Sequence, residues 1–299
     1  MALLAVINDT VRHACAQVMF FVLVGLAVVF IILAGLTWGT EREGGIMQVR
    51  LFGMIEQPVE GIEDAAIVAR AVYVGLWLIL GTLLFAFSAS FMVSRRLAPG
   101  IVEMYVSMPV SRLTVLAGMS IGIFLTFFAP CVLAVLGVWL VVGLKTGVFA
   151  KTFLYPLLFD GLAGLTITAM AVALSTITRS AMLSAMYLTL VWVSMFFLMP
   201  IAEKQWNYEG EMVALSHFEY GEMNKQDYEE QRGRVPALIK TSEFTMRYMC
   251  PPVIDLGRIA AALESPTGGV LTWRPVYVSL AQTLVGFALA GIWFARKDY

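Results

Sequence analysis

The chain has 299 residues, of which 60% are hydrophobic and 14% charged, with a formal net charge of -1 and a mean hydropathy of +0.82. Soluble domains carry about 45–50% apolar and about 25% charged residues, so this chain lacks the polar residues to cover a water-exposed surface, whereas lipid can cover it. No strongly basic face is present to neutralise phosphates, which excludes a nucleic-acid partner, and the scattered Cys15, Cys131 and Cys250 with the distant His13 and His217 match neither a disulfide framework nor a metal site, so no metal is expected.

In chain order, Met1 to His13 reads as a short amphipathic helix. Leu3, Leu4, Ile7 and Val11 fall on one helical face and Asn8, Asp9 and Arg12 on another. Such a segment can lie in the membrane interface; the alternative is a frayed tail.

An apolar run of about 20 residues crosses the ~30 Å hydrocarbon layer as a helix. Six such runs follow: Ala16–Trp38, Ala71–Val93, Val115–Val142, Phe153–Ile177, Ala181–Met199 and Val276–Ala295. They are continuously apolar, without the alternation of barrel strands, so the expected fold is all-α: a six-helix polytopic membrane protein. Within the third run Pro130 removes a backbone donor and is expected to kink the helix. Gly118 and Gly122 form a G-x-x-x-G pair, which is either a helix–helix contact or the ordinary glycine content of membrane helices. Asp160 is the only carboxylate well inside a run. An intramembrane ionisable residue is a functional candidate by default, but Asp160 lies near the start of its run and the bland reading is that it reaches the interface.

Positive residues in short loops mark the cytoplasmic side. With the amino terminus inside, the short inside segments hold Arg12, Arg95, Arg96, Arg112, Arg179, Arg296 and Lys297, whereas the outside segment 39–70 has more acids than arginines. Lys145 and Lys151 count against this placement. Both termini are therefore expected in the cytoplasm. The long polar segment 200–274 is then an extracytoplasmic cap, rich in acids and aromatics, that serves either as a docking surface or as packing.

The connector between the second and third runs, 94–112, is the most informative stretch. Arg95 and Arg96 stop the second run, Pro99 and Gly100 turn the chain, and Ile101 to Met108 can form a short surface helix with Ile101, Tyr105 and Met108 at helical spacing. Glu103 lies on the other face. Pro109 stops this helix, Ser111 is placed to cap the next one, and Arg112 sits at its mouth.

The order Gly100-x-x-Glu103-x-x-x-Ser107-x-Pro109-Val110-Ser111-Arg112 resembles the loop of type-2 ABC-transporter permeases, close to G-T-L-E-x-L-L-S-x-P-V-S-R. Ile101, Val102 and Tyr105 depart from the usual residues. The closing Phe294-Ala-Arg-Lys-Asp-Tyr299 is similar to the family's ending, and the six-run layout extends the likeness over the whole chain as one permease domain. The nearest subfamily is that of the nitrous-oxide-reductase maturation permease. The resemblance implies a homodimer of permease chains in a cell membrane, most simply the bacterial inner membrane. It also implies a separate ABC ATPase that binds ATP and Mg²⁺ and docks on a coupling helix comprising Gly100, Glu103, Tyr105, Ser107, Met108, Pro109 and Arg112.

The chain carries no phosphate-loop motif of its own. The nearest fragment, Gly143-Leu144-Lys145-Thr146, lacks the second glycine directly before the lysine. No catalytic residue and no cofactor are expected in this chain, and lipid is its solvent. The function expected is the permease subunit of an ATP-driven exporter. The alternatives are a permease that does mechanical work on an extracytoplasmic protein through the 200–274 cap and an ion-coupled secondary transporter, which needs more buried charge than Asp160.

Overall fold

The computed structural model describes residues 2–43, 46–51, 54–59, 62–97, 111–149, 154–178, 180–194, 256 and 273–296. The elements are α1 (Ala2–Cys15), α2 (Val18–Thr37), β1 (Trp38–Glu43), β2 (Ile46–Leu51), β3 (Met54–Val59), α3 (Ile62–Arg96), α4 (Arg112–Thr146), α5 (Tyr155–Thr178), α6 (Ala181–Val193) and α7 (Arg274–Arg296). Five helices are long and apolar enough to cross a bilayer: α2, the Val72–Arg96 part of α3, α4, α5 and α7. The chain is a multi-pass helical membrane protein. The fifth expected run appears as the shorter α6, and its residues beyond 194 lie outside the described residues.

Helices form here because a chain in hydrocarbon must satisfy its own backbone polar groups. Their ends carry local signals. Ser111 caps α4, its side chain accepting from the Thr114 amide at 3.1 Å, as the sequence leads one to expect. Ser180 caps α6 in the same way through the Leu183 amide. Gly147 ends α4 at φ 75°, a left-handed conformation that glycine reaches without a Cβ penalty, and its amide bonds to the Gly143 carbonyl at 2.8 Å. Pro130 lies inside α4, which continues as one helix from Arg112 to Thr146.

Between α2 and α3 the structure adds a small sheet that the all-α reading did not include. The three strands pair antiparallel in the order β1-β2-β3, with Trp38 opposite Leu51 and Leu51 opposite Met54. The register shifts at Val49/Arg50.

Contacts fix the helix directions. Phe85 of α3 stacks on Phe127 of α4 at 4.3 Å, while Tyr73 clusters with Val138 and Val142, so these two helices run antiparallel. On α5, Asp160 meets Cys131 and Gly164 meets Phe127, so α5 is antiparallel to α4. α7 runs parallel to α5: Thr166 meets Thr283, and Ala169 meets Gly286. α6 is antiparallel to α3, since Ser184 meets Ser90 and Trp192 meets Thr82. One end of the bundle therefore gathers the last turns of α3, α5 and α7 and the first turns of α4 and α6. The opposite end carries the sheet.

The core lies between α3, α4 and α5, where Trp77, Phe85, Phe127 and Met119 are almost wholly enclosed. The outer faces are apolar as well. On α2 these are Phe21, Val29, Ile32 and Leu36, and on α7 Tyr277, Leu284, Val285 and Ile292. Exposed leucine and isoleucine in such numbers fit a hydrocarbon solvent, because association within lipid is driven by close packing and not by apolar burial.

Candidate functional site

The sequence directs attention to the connector between α3 and α4, to Asp160, and to the Gly118/Gly122 pair. Gly100, Glu103, Tyr105, Ser107, Met108 and Pro109 lie outside the described residues, as does the 200–274 segment apart from Leu256, Trp273 and Arg274. The described parts of the connector are its two anchors, Ser94–Leu97 and Ser111–Arg112.

The first anchor is held by α1. Arg96 Nη1 donates to Asp9 Oδ2 at 2.6 Å, and Nη2 donates to the Asp9 carbonyl at 3.1 Å. The guanidinium is buried and the carboxylate is partly exposed. A forked contact of this kind fixes direction as well as distance. His13 sits one turn further along α1 at 4.0 Å from Asp9. At the second anchor Arg112 donates to the Ala295 carbonyl at the end of α7, at 3.4 Å. Gly291 of α7 lies against Leu113. The anchors thus stand among Arg95, Arg96, Arg112 and Arg296 at one end of the bundle.

Gly118 and Gly122 form a true helix contact, and the partner is α1. A Cβ on Gly118 would stand 2.8 Å from Val6 Cγ1, and one on Gly122 would stand 2.6 Å from Thr10 Cβ. Two glycines one turn apart open a groove on α4, and two β-branched side chains one turn apart on α1 fill it. The buried face of α1 is Val6, Thr10 and Ala14, while Leu3 and Leu4 point away from the bundle. The expected apolar face of Leu3, Leu4, Ile7 and Val11 is thus distinct from the face that packs on α4, with Leu3 and Leu4 exposed and Ile7 and Val11 half-buried. In lipid the small and β-branched stripe seeks the neighbouring helix and the large apolar residues can stay outside.

Asp160 faces the bundle interior and is 3% exposed. It accepts from the Cys131 thiol at 3.6 Å, and Trp77 and Cys131 lie in the same buried cluster. These residues tie α3, α4 and α5 together. Elsewhere in the bundle, buried hydroxyls link further helix pairs: Ser175 with Ser184 at 3.0 Å, Ser184 with Ser90 at 3.3 Å, and Thr166 with Thr283 at 3.1 Å. Such bonds hold helices together in a medium without water. Among the described residues no group of three or more His, Cys, Asp or Glu side chains is placed to hold a metal.

No family model and no curated protein matches the chain.

Sequence reasoning missed the Asp9–Arg96 pair and the Lys145 anchor at the other end of the bundle. Lys145 Nζ donates to the carbonyls of Gly35 and Trp38, both at 2.5 Å. A charge inside or beside an apolar run is a signal that a partner exists, because an isolated charge in hydrocarbon is expensive. Which partner takes it follows only from the fold.

Proposed function

We propose that the chain is the membrane-spanning subunit of an ATP-driven transporter of the type-2 ABC permease kind, worked by a separate ATPase that grips the connector 94–112. The observation that carries this reading is the motif from Gly100 to Arg112, read together with its position between α3 and α4. Both helices that flank the connector end where the arginines gather, the distribution that marks a cytoplasmic face. The connector and both chain termini are accordingly assigned to the cytoplasm, and the sheet and the 200–274 segment to the other side.

A sixth crossing belongs to the same reading. α5 and α7 run in the same direction, so the chain must return across the layer between them, and α6 is antiparallel to both of its neighbours α3 and α5. A second copy of the chain completes the pathway, for which the apolar outer faces of α2 and α7 leave room. In this reading ATP binding moves the docked connector, the motion enters the bundle at Arg96 and Ser111, and the packed helices pass it on as a shift between two discrete arrangements.

The test uses two measurements. A single cysteine placed at Ser107 is labelled by a membrane-impermeant maleimide in sealed vesicles of known sidedness, and labelling is expected only from the cytoplasmic face. The chain, purified from its own cells, is expected to carry a phosphate-loop ATPase with it, in two copies of each. Labelling from the outer face, or purification of a chain that stimulates no ATPase, overturns the proposal.

A further inference from the structure

We infer that α1 is a brace that sets the separation between the two ends of the connector. The inference rests on the transporter reading for its purpose, but its geometry stands without it. α1 touches both flanking helices through unrelated contacts. On one side the Asp9–Arg96 fork holds it to the last turn of α3. On the other, Val6 and Thr10 sit in the groove that Gly118 and Gly122 open in the first third of α4.

α1 is not a rigid extension of α2. The helix breaks at Ala16–Gln17, where Gln17 is extended at φ -85°, ψ 142°. Its position is therefore set by α3 and α4. The contacts also rise in step along the chain: Val6 with Gly118, Thr10 with Gly122, Ile31 with Gly137, and Gly35 with Val141. α1 and α2 thus run beside α4 in the same direction, with a joint between them.

The two contacts differ in how they resist motion. The glycine contact is steric and close-packed, so it permits little sliding and transmits a push. The ion pair is directional and sits at the edge of the packed core, with Asp9 partly open to its surroundings. It is the part that can be released. A pull on the connector reaches α3 at Arg96, and through Asp9 it reaches α1 and then α4. With the pair intact, α3 and α4 move as one unit at this end. With it broken, only the direct packing of α3 on α4 couples the two.

The experiment measures the α3–α4 distance by double electron–electron resonance between nitroxides at Arg95→Cys and Leu113→Cys, both exposed positions, in protein with Cys15→Ser and Cys250→Ser. The parent protein is expected to give one narrow distance distribution. Asp9→Ala and Gly122→Leu are each expected to broaden it at least about twofold, and the exchanged pair Asp9→Arg with Arg96→Asp to restore much of the narrow form. If Asp9→Ala does not give monodisperse protein, Asp9→Asn, which keeps the shape and withdraws the charge, is measured in its place. An unchanged width in Asp9→Ala, or in Asp9→Asn where it is the variant measured, overturns the brace whatever the chain does in the cell. With the ATPase bound, Asp9→Ala is further expected to lower permease-stimulated hydrolysis about tenfold while complex formation persists. Failure of any ATPase to bind counts against the transporter reading and leaves the distance result standing.

Discussion

Lys145 and Trp38 meet at the end of the bundle opposite Arg96. The ammonium donates to the Trp38 carbonyl at 2.5 Å and lies 5.8 Å from the centre of the indole ring. A second bond to Gly35 satisfies another carbonyl in the last turn of α2, where orphan acceptors collect and a cation is favoured by the helix dipole. The lysine on α4 thereby closes the exposed end of a different helix.

Lys145→Met keeps the stem and removes the charge. It is expected to lower stability by about 1–2 kcal/mol, the scale of a charged hydrogen bond plus a helix-terminus interaction. Hydrogen exchange across residues 33–38 should accelerate more than exchange elsewhere in α2. Uniform protection along α2 in the variant would refute the assignment.

Gly286 and Gly25 make a matched pair. A Cβ at Gly286 would stand 3.0 Å from Ala169 Cβ and 3.2 Å from its carbonyl oxygen, so backbone would have to move, whereas a Cβ at Gly25 meets nothing within 4 Å. Gly286→Val is expected to cost about 1–3 kcal/mol through overpacking between α5 and α7. Gly25→Ala should be neutral. Thermal unfolding of both variants in the same detergent or nanodisc checks the contrast.

Cys131 is fully enclosed between helices, while Cys15 is partly exposed at the end of α1. In protein with Cys250→Ser, maleimide should modify Cys15 in the native state and reach Cys131 only on denaturation, because reactivity requires access as well as thiolate. Mass spectrometry of intact labelled protein distinguishes the two. Rapid native labelling of Cys131 would contradict the packing of α4 on α5.

Asp160→Asn retains an acceptor toward the Cys131 thiol and is expected to change stability by less than about 1 kcal/mol. Asp160→Leu withdraws the acceptor from a buried donor and should cost about 1–3 kcal/mol. Equal stability of the two variants would remove Asp160 from the junction of α3, α4 and α5.

Much of the membrane architecture was legible in the sequence, because each crossing is a long unbroken apolar run and lipid imposes that pattern. The α4 start was legible too, since Ser111 carries its own capping chemistry. Other features were not, for physical reasons. The burial of Val6 and Thr10 depends on glycines more than a hundred residues away, and hydrophobicity ranks Leu3 and Leu4 above them. Hydrophobicity predicts burial in water, and it loses that power where the solvent is itself apolar. The small sheet was passed over because its strands are short and mixed in polarity, although Gly44-Gly45 between β1 and β2 is a composition that suits a hairpin. Gly118 and Gly122 were visible as a pair; their partner was not.

The groove that receives α1 also orders events during synthesis. Val6 and Thr10 are synthesised long before Gly118 and Gly122 exist, and at about 5–20 residues per second the interval is roughly 6–20 s. Throughout that interval the nascent α1 has no seat on α4. Docking is therefore a late step of assembly, taken only after a third long apolar segment has been threaded in. A ribosome that stalls before Gly122 would leave α1 unseated and open to proteolysis.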